Sequence, residues 1–424
     1  MGWQSGKVTP PDAPGRNRLY RYLRRELCEA CGRIPRRMKI LFINTLILHG
    51  GVERLFHELA NTFVKGGHKV KFVSIFQNVD VQKYLDPRVQ VEYLTKDNKN
   101  THNVGSFKKY ICMLRIAKLL RREKPDVIHS ANTVVNGMLI VSAILAGQLG
   151  KLVISEHGNS IYDIDDVLRK YPPIKRFVVK AIYRFIFLLY RLVPGIVVVS
   201  DGVRQSLHEI SHIPLGKIKR IYNMVPFEKI HTLVKVAPSH PWLTQKDLPV
   251  VINVGRLVAQ KNIDLLIRAF ADVLKEIPSR LILVGEGDLR PALEATVRSL
   301  GIADSVSFAG YTDNPYAYIA RADVFVLSSA FEGFPLVLVE SMVIGTPIVS
   351  VNCKSGPDEL IDKEGLGLLT PAGDQAALAE GIKKMLRGEV PVDRKAMEEK
   401  TKAFEPKAVA QAYLEYFREV TGSH

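Results

Sequence analysis

Cysteine is scarce in this chain, with four in 424 residues at positions 28, 31, 112 and 353. So few and so scattered thiols exclude a disulfide framework, and a reducing cytosol suits them best. Cys28 and Cys31 have the spacing of half a metal or redox motif, but no second Cys pair or His pair follows, which argues against zinc. Long hydrophobic runs are also missing. The nearest approach to one, Phe177 to Val199, carries Lys180, Arg184 and Arg191, so a membrane-spanning helix is not expected. Residues 1–37 are basic and Pro-rich without the apolar stretch of a secretory signal. They read as a poorly ordered extension with Met38 as the expected native start, or else as a membrane-surface anchor, and Tyr20 to Cys31 could form a short basic helix within them. Acidic residues are in deficit, leaving a formal net charge of +16.

That charge is uneven. Lys and Arg exceed Asp and Glu by 6 in residues 1–37 and by 15 in 38–248, and fall short of them by 5 from residue 249 onward. A basic first half points to an anionic partner: a membrane surface, a nucleic acid or a pyrophosphate-bearing substrate. Length predicts two domains, and 47% hydrophobic residues suffice for two cores. From Lys39 onward apolar strands alternate with helical segments. Strands are predicted at 39–44, 69–75, 89–93, 126–129, 151–155 and 195–199, with helices such as 52–65 and 107–123 between them. The pattern restarts after Pro249, with strands at 250–254, 280–284, 305–308, 323–327 and 347–351. Such alternation predicts doubly wound α/β sheets, two Rossmann-like halves in succession. A linker is placed near 236–249, which contains three prolines, and a last amphipathic helix at 405–421.

The stretch from Phe331 to Ser350 (FEGFPLVLVESMVIGTPIVS) carries the most chemistry. It reads as strand, loop, helix and strand, with Glu332 and Glu340 eight residues apart. Pro335 suits the first turn of a helix, where its missing N–H has no intrahelical partner. The helix N-terminus would offer free N–H groups to an anion, and the carboxylates would accept hydrogen bonds from a ligand's hydroxyls. Upstream, Gly255 allows a sharp turn after a strand and places Arg256 and Lys261 near the sheet's carboxyl edge. Two fixed cations there suit a diphosphate leaving group. Gly285-Glu286-Gly287, His49-Gly50-Gly51-Val52-Glu53 and Ser155-Glu156-His157-Gly158-Asn159 are further strand-end turns. From Arg169 to Leu192, basic residues alternate with aromatic and aliphatic ones, a helix that either packs on the sheet or lies on an anionic membrane.

Taken together, these motifs resemble retaining glycosyltransferases of the GT-B fold, family four (the group 1 glycosyltransferases), of the bacterial polysaccharide type. The resemblance covers roughly 38–420. It implies an acceptor domain at 38–240, a donor nucleotide-sugar domain at 241–404, and a helix at 405–424 packing back on the first domain. It implies that Glu332 contacts the transferred sugar, Glu340 the ribose, and Arg256 and Lys261 the donor phosphates. Gly333, Phe334, Pro335 and Leu336 would meet phosphate or sugar through the backbone, with Gly50 and Gly51 beneath the sugar and diphosphate. Gly255, Gly285 and Gly287 would flank the pocket, Tyr311 would lie in the loop that receives the base, and His157 beside the donor sugar. His157, Glu332, Arg256 and Lys261 are then the catalytic set.

No Asp-x-Asp is expected at a strand end, and Asp163-Ile164-Asp165 is read as part of a polar loop of the other half. Neither metal nor cofactor is expected, so the diphosphate would be stabilised by the two cations and the helix end. The expected partners are a nucleotide-sugar, with a UDP-sugar favoured, a lipid-linked saccharide acceptor, and the anionic cytoplasmic face of the membrane. No nucleic acid is expected, because no RNA or DNA motif accompanies the basic charge. A nucleotide-sugar epimerase or hydrolase, and a non-catalytic scaffold, are the competing readings.

Overall fold

The computed structural model describes residues 37–44, 51–76, 81–95, 107–169 and 171–422. The Cys28/Cys31 pair, the short helix expected from Tyr20 to Cys31 and Gly50 lie outside these residues.

The first sheet holds seven parallel strands: β1 (Lys39–Asn44), β2 (Lys69–Phe76), β3 (Gln90–Thr95), β4 (Val127–Ala131), β5 (Leu152–Glu156), β6 (Gly195–Val198) and β7 (Ile218–Arg220). Their spatial order is β3-β2-β1-β4-β5-β6-β7. Helices α1 (Gly51–Lys65), α2 (Phe107–Glu123), α3 (Thr133–Ala146), α4 (Ser160–Arg169), α5 (Pro173–Tyr190) and α6 (Asp201–Ser211) connect them. After α7 (Phe227–Leu233) and α8 (Pro241–Thr244), a second parallel sheet follows. It contains β8 (Val250–Val254), β9 (Arg280–Val284), β10 (Val306–Gly310), β11 (Val324–Leu327), β12 (Ile348–Asn352) and β13 (Leu368–Pro371), in the order β10-β9-β8-β11-β12-β13. Its helices are α9 (Ile263–Leu274), α10 (Arg290–Ser299), α11 (Pro315–Ile319), α12 (Leu336–Ile344), α13 (Pro357–Leu360), α14 (Gln375–Leu386) and α15 (Arg394–Thr401), and α16 (Pro406–Thr421) ends the fold.

The central strands read as unbroken apolar runs because both faces are covered; every residue of β4, β5, β6 and β11 is buried. The doubly wound expectation therefore holds in both halves. Two edge strands escaped the sequence reading. In β7 (IKR) two of three residues are exposed, so it has no apolar run to see. β13 (LLTP) follows Gly365 and Gly367, both at positive φ, and ends in a proline that only an edge tolerates.

The proline-rich segment expected as a linker is partly folded. Its centre forms α8, where the His240 ring accepts a hydrogen bond from Trp242 N–H at 3.2 Å. The Arg280 guanidinium lies 4.6 Å from the Trp242 ring centre. α7 is tied to the second half, since Asn314 donates to Leu233 O at 3.0 Å and Arg321 to Val234 O at 3.2 Å. Beside it the chain crosses between sheets twice, and the two crossings are joined by Val225 N–H to Phe404 O at 2.9 Å. The second crossing delivers α16 to the first sheet, where Val409, Tyr413 and Phe417 are buried in one cluster with Phe42, Phe63, Val153 and Val197. Tyr416 accepts a hydrogen bond from Ile196 N–H at 3.1 Å. Gly195 makes room for the helix: a Cβ there would stand 3.0 Å from Val420.

Because Phe417 is fully buried between the rings of Phe63, His129 and Tyr413, Phe417→Ala is expected to destabilise the fold by about 3–5 kcal/mol. Urea unfolding followed by circular dichroism would measure this. A loss below about 1 kcal/mol would mean that α16 is not part of the first half's core.

Candidate active site

Open parallel sheets bind ligands at the carboxyl ends of their strands, where the strand order reverses. Here the reversals fall between β1 and β4 and between β8 and β11. The loops leaving β8 and β11 are stitched together: Ser328 Oγ donates to Lys261 O at 2.9 Å, Ala330 N to Gln260 O at 2.8 Å, and Gln260 Nε2 to Phe331 O at 3.1 Å. This framework brings Lys261 Nζ to 2.6 Å from Glu332 Oε1, with Lys261 and Glu332 side chains only 19% and 7% exposed. Ser329 Oγ donates to the same oxygen at 2.7 Å. A carboxylate so withdrawn from water is tolerable because it is both paired and hydrogen-bonded. Arg256 is exposed and forms no ion pair among the described residues.

The glycines of this half serve close backbone approach. A Cβ on Gly285, at φ +135°, would stand 2.0 Å from Gly255 O, and one on Gly287 would stand 2.3 Å from Leu257 O. Backbone bonds run through the same contact, Gly255 N to Val284 O and Leu257 N to Glu286 O, both at 2.9 Å. The need for glycine at 285 and 287 thus arises from the loop after β8, which these residues fix in place. Tyr311 is exposed, and its hydroxyl donates to Asp313 at 2.9 Å.

The loop after β11 also meets the first half directly. A Cβ on Gly333 would lie 1.9 Å from the His157 carbonyl oxygen, and Ser200 Oγ donates to Gly333 O at 2.7 Å. Phe331 stacks on Tyr162 at 5.1 Å, and Phe334 is buried against Tyr222 and Phe404. Asn159 Nδ2 donates to Ser355 Oγ at 3.0 Å, and Glu359 accepts from Gly202 N–H at 3.2 Å. α12 starts at Leu336, so Pro335 is the residue before the helix and not its first, as the sequence suggested. Leu336 N–H turns back to Phe334 O at 3.0 Å and Pro335 has none, which leaves Phe334 as the N–H available from 334–336.

His157 Nε2 stands 2.8 Å from Ser155 Oγ, which is also 3.1 Å from Ser130 O. Ser155 Oγ thus lies within reach of two acceptors, and the tautomer of His157 follows from which of them takes the hydroxyl proton. Nδ1 is buried without a bonded partner, as is Asn223 Oδ1. Burial lowers the His157 pKa to about 4 against an opposing pull from Asn223, so the ring is neutral at pH 7. Its neighbour Glu156 is occupied otherwise: Tyr190, Asn136 at 3.1 Å and Thr133 at 3.1 Å all donate to it.

Glu340 has a partner that the sequence reading missed. Its Oε1 accepts from Arg54 Nη1 at 3.2 Å and from Tyr316 OH at 3.2 Å, and Arg54 also donates to Tyr316 OH. Burial raises the Glu340 pKa, and Arg54 works against that rise. The one local signal for Arg54 is its place in the first turn of α1, three residues after Gly51, where that helix begins. Thus His157, Gly333, Glu332 and Lys261 come together, and Glu340 faces Arg54 from the second turn of α12. Among the described residues no group of three or more His, Cys, Asp or Glu could hold a metal ion.

Because the Gly333 position has no space for a methyl group, Gly333→Ala is expected to separate the two loops. The measurable consequences are a lowered melting temperature and a larger radius of gyration by small-angle scattering. An unchanged melting temperature and radius would refute this account of the contact.

Comparison with known proteins gives two family matches, "Glycosyltransferase Family 4" over residues 49–229 and "Glycosyl transferases group 1" over residues 239–404. A GalNAc-alpha-(1->4)-GalNAc-alpha-(1->3)-diNAcBac-PP-undecaprenol alpha-1,4-N-acetyl-D-galactosaminyltransferase of Campylobacter jejuni is 30% identical over 357 residues, 83% of this chain and 90% of that protein. The N-acetylgalactosamine-N,N'-diacetylbacillosaminyl-diphospho-undecaprenol 4-alpha-N-acetylgalactosaminyltransferase of the same organism is 32% identical over 237 residues, 54% of this chain and 62% of that protein. The crystal structure of Anabaena HepE in complex with UDP superimposes with a TM-score of 0.71 at 20% identity, covering 90% of this chain and all of that one. At that identity the likeness is one of fold.

Proposed function

This chain belongs to the group 1 glycosyltransferases, with the two-domain GT-B fold, and we propose that it transfers a sugar from a UDP-sugar to a hydroxyl of a lipid-linked saccharide with retention of the anomeric configuration. The observation that carries this reading is the buried Lys261–Glu332 pair beside Arg256, which has no ion-pair partner among the described residues, opposite the neutral His157. A donor diphosphate entering between Arg256 and Lys261 offers Lys261 a stronger anion than Glu332. Glu332 is then released to accept hydrogen bonds from sugar hydroxyls, and the His157 ring can make another. The bond from the anomeric carbon to the diphosphate breaks while the bond to the acceptor oxygen forms on the same face. The departing phosphate oxygen takes the acceptor's proton, and the two cations and the N-terminus of α12 stabilise its charge. No metal is assigned a part. Contact between the halves excludes water that would otherwise take the sugar.

The acceptor's lipid is supported by α5. Its inner face is anchored by Val179, Ile186, Phe187 and the Tyr190 hydroxyl, which donates to Glu156. Its outer face leaves Ile174 85%, Phe177 77% and Phe185 57% exposed, among the exposed cations Lys175, Arg176, Lys180 and Arg184. No described helix is long and apolar enough to cross a membrane. A helix with this pattern lies in the interface of an anionic bilayer, and both Campylobacter relatives are named for undecaprenol-linked diphosphates.

Thermal stabilisation by millimolar UDP, but not by GDP or ADP, is expected in the wild type and is expected to be lost in Lys261→Ala. Stabilisation by GDP or ADP instead would replace the donor class, and stabilisation by no nucleotide would favour a scaffold. A small H1–H2 coupling of an equatorial anomeric proton in the product by proton NMR, as an α-linkage gives, unaffected by EDTA, would support retention without metal; the large axial–axial coupling of an inverted product would refute it. The double variant Ile174→Asp/Phe177→Asp is expected to lose most of its binding to phosphatidylglycerol vesicles while keeping its response to UDP. Undiminished vesicle binding would remove α5 from the membrane contact.

A further inference from the structure

Arg54 and Glu340 are 286 residues apart in the chain and come from opposite halves of the fold. Arg54 projects from the first turn of α1, and Glu340 sits in the second turn of α12. The guanidinium is 39% exposed and the carboxylate 11%, so the cation meets the acid from its more open side. Both hydrogen bonds to the acid, from Arg54 and Tyr316, converge on Oε1, and none reaches Oε2 among the described residues. Tyr316 is itself held by Arg54, so the three groups form one closed cluster.

We propose that Arg54 is a positioning residue for nucleotide recognition: from the first half of the fold it holds one oxygen of Glu340, leaving the other to accept the hydroxyls of the donor's ribose. This rests on the donor-site reading above and adds that the nucleotide site of the second half is complete only when the first half is in contact with it. A carboxylate this deeply buried protonates readily when its cation is removed. Once protonated it is a poorer acceptor, with one oxygen committed as a donor. Among the described residues the charged and titratable groups that face Glu340 are Arg54 of α1, Tyr316 of α11 and Lys229 of α7, while Glu58 of α1 acts on Arg54. Burial opposes the charge on both members of the pair, and each offsets that for the other. Arg54 thus supplies orientation and ionisation together, and Lys229, which forms no hydrogen bond to the acid, does not substitute for it.

The sign of the pH effect follows. Without Arg54 the acid's pKa rises further, so UDP affinity is lost at a higher pH as the solution is acidified. Calorimetric titration of UDP into the full chain between pH 5 and 8.5 would test this with wild type, Arg54→Gln and Arg54→Lys. Arg54→Gln is expected to bind UDP roughly tenfold more weakly at the acidic end, with the acid limb of the affinity profile displaced to higher pH. Arg54→Lys is expected to return that limb toward the wild-type position. Parallel profiles with a uniform loss would reduce Arg54 to a structural contact and overturn the proposal. Tighter binding in Arg54→Gln would also overturn it, by making Arg54 a competitor of the ribose. Should the wild type bind no UDP at any pH, the donor-site reading fails and the role of Arg54 fails with it. A normal wild type with an unshifted Arg54→Gln profile refutes the role of Arg54 alone.

Discussion

The arrangement of the site depends on how closely two backbone segments approach: the loop leaving β11 and the loop leaving β5. At Gly333 the gap to the His157 carbonyl is too small for any side chain. Ser200 closes one side of this contact with a hydrogen bond to Gly333 O, and the stacked rings of Phe331 and Tyr162 close another. Such an approach holds His157 and Glu332 on neighbouring residues across the boundary between halves. Moving the loops apart by a methyl group's width would separate His157 from Glu332, and under the proposed function catalysis depends on distances of this order.

Around that contact sit two buried carboxylates with different kinds of partner. Glu332 takes its cation from its own half, through a pair of loops tied by backbone and side-chain hydrogen bonds. It therefore arrives preformed, whatever the first half does. Glu340 takes its cation from the other half, so its state depends on contact between the halves. Under the proposed function Glu332 would yield Lys261 to a diphosphate, while Glu340 would report whether the halves have met. A buried charge whose partner lies across a boundary couples that boundary to binding, because separating the pair leaves an acid that must protonate or rehydrate.

The basic helix α5 belongs to the same economy of contacts. Its inner face is fixed to β5 by the Tyr190–Glu156 hydrogen bond, one residue before His157. Its outer face carries aromatic and aliphatic side chains with nothing from the described chain over them. Position on the exposed face of α5 and position at the site are thus linked through one strand end, a short path from that face to His157.

Much of this was legible in one dimension. Central strands announced themselves as apolar runs, and Arg256, Lys261, Glu332 and Glu340 stood out because strand-end loops and helix starts have local spacing rules. The strands β7 and β13 did not, since short edge strands need little burial and leave little pattern. Nor did the reason for glycine at 285, 287 and 333, which is the backbone of a distant loop in each case. The sequence by itself determined the two doubly wound halves and which loops carry cations and carboxylates, because those follow from periodicity over a few residues. Only the tertiary structure decided that Lys261 pairs with Glu332 and that Arg54 pairs with Glu340. Those outcomes are set by contacts between segments 71 and 286 residues apart, and no local spacing encodes which distant group will fill the space beside a buried charge.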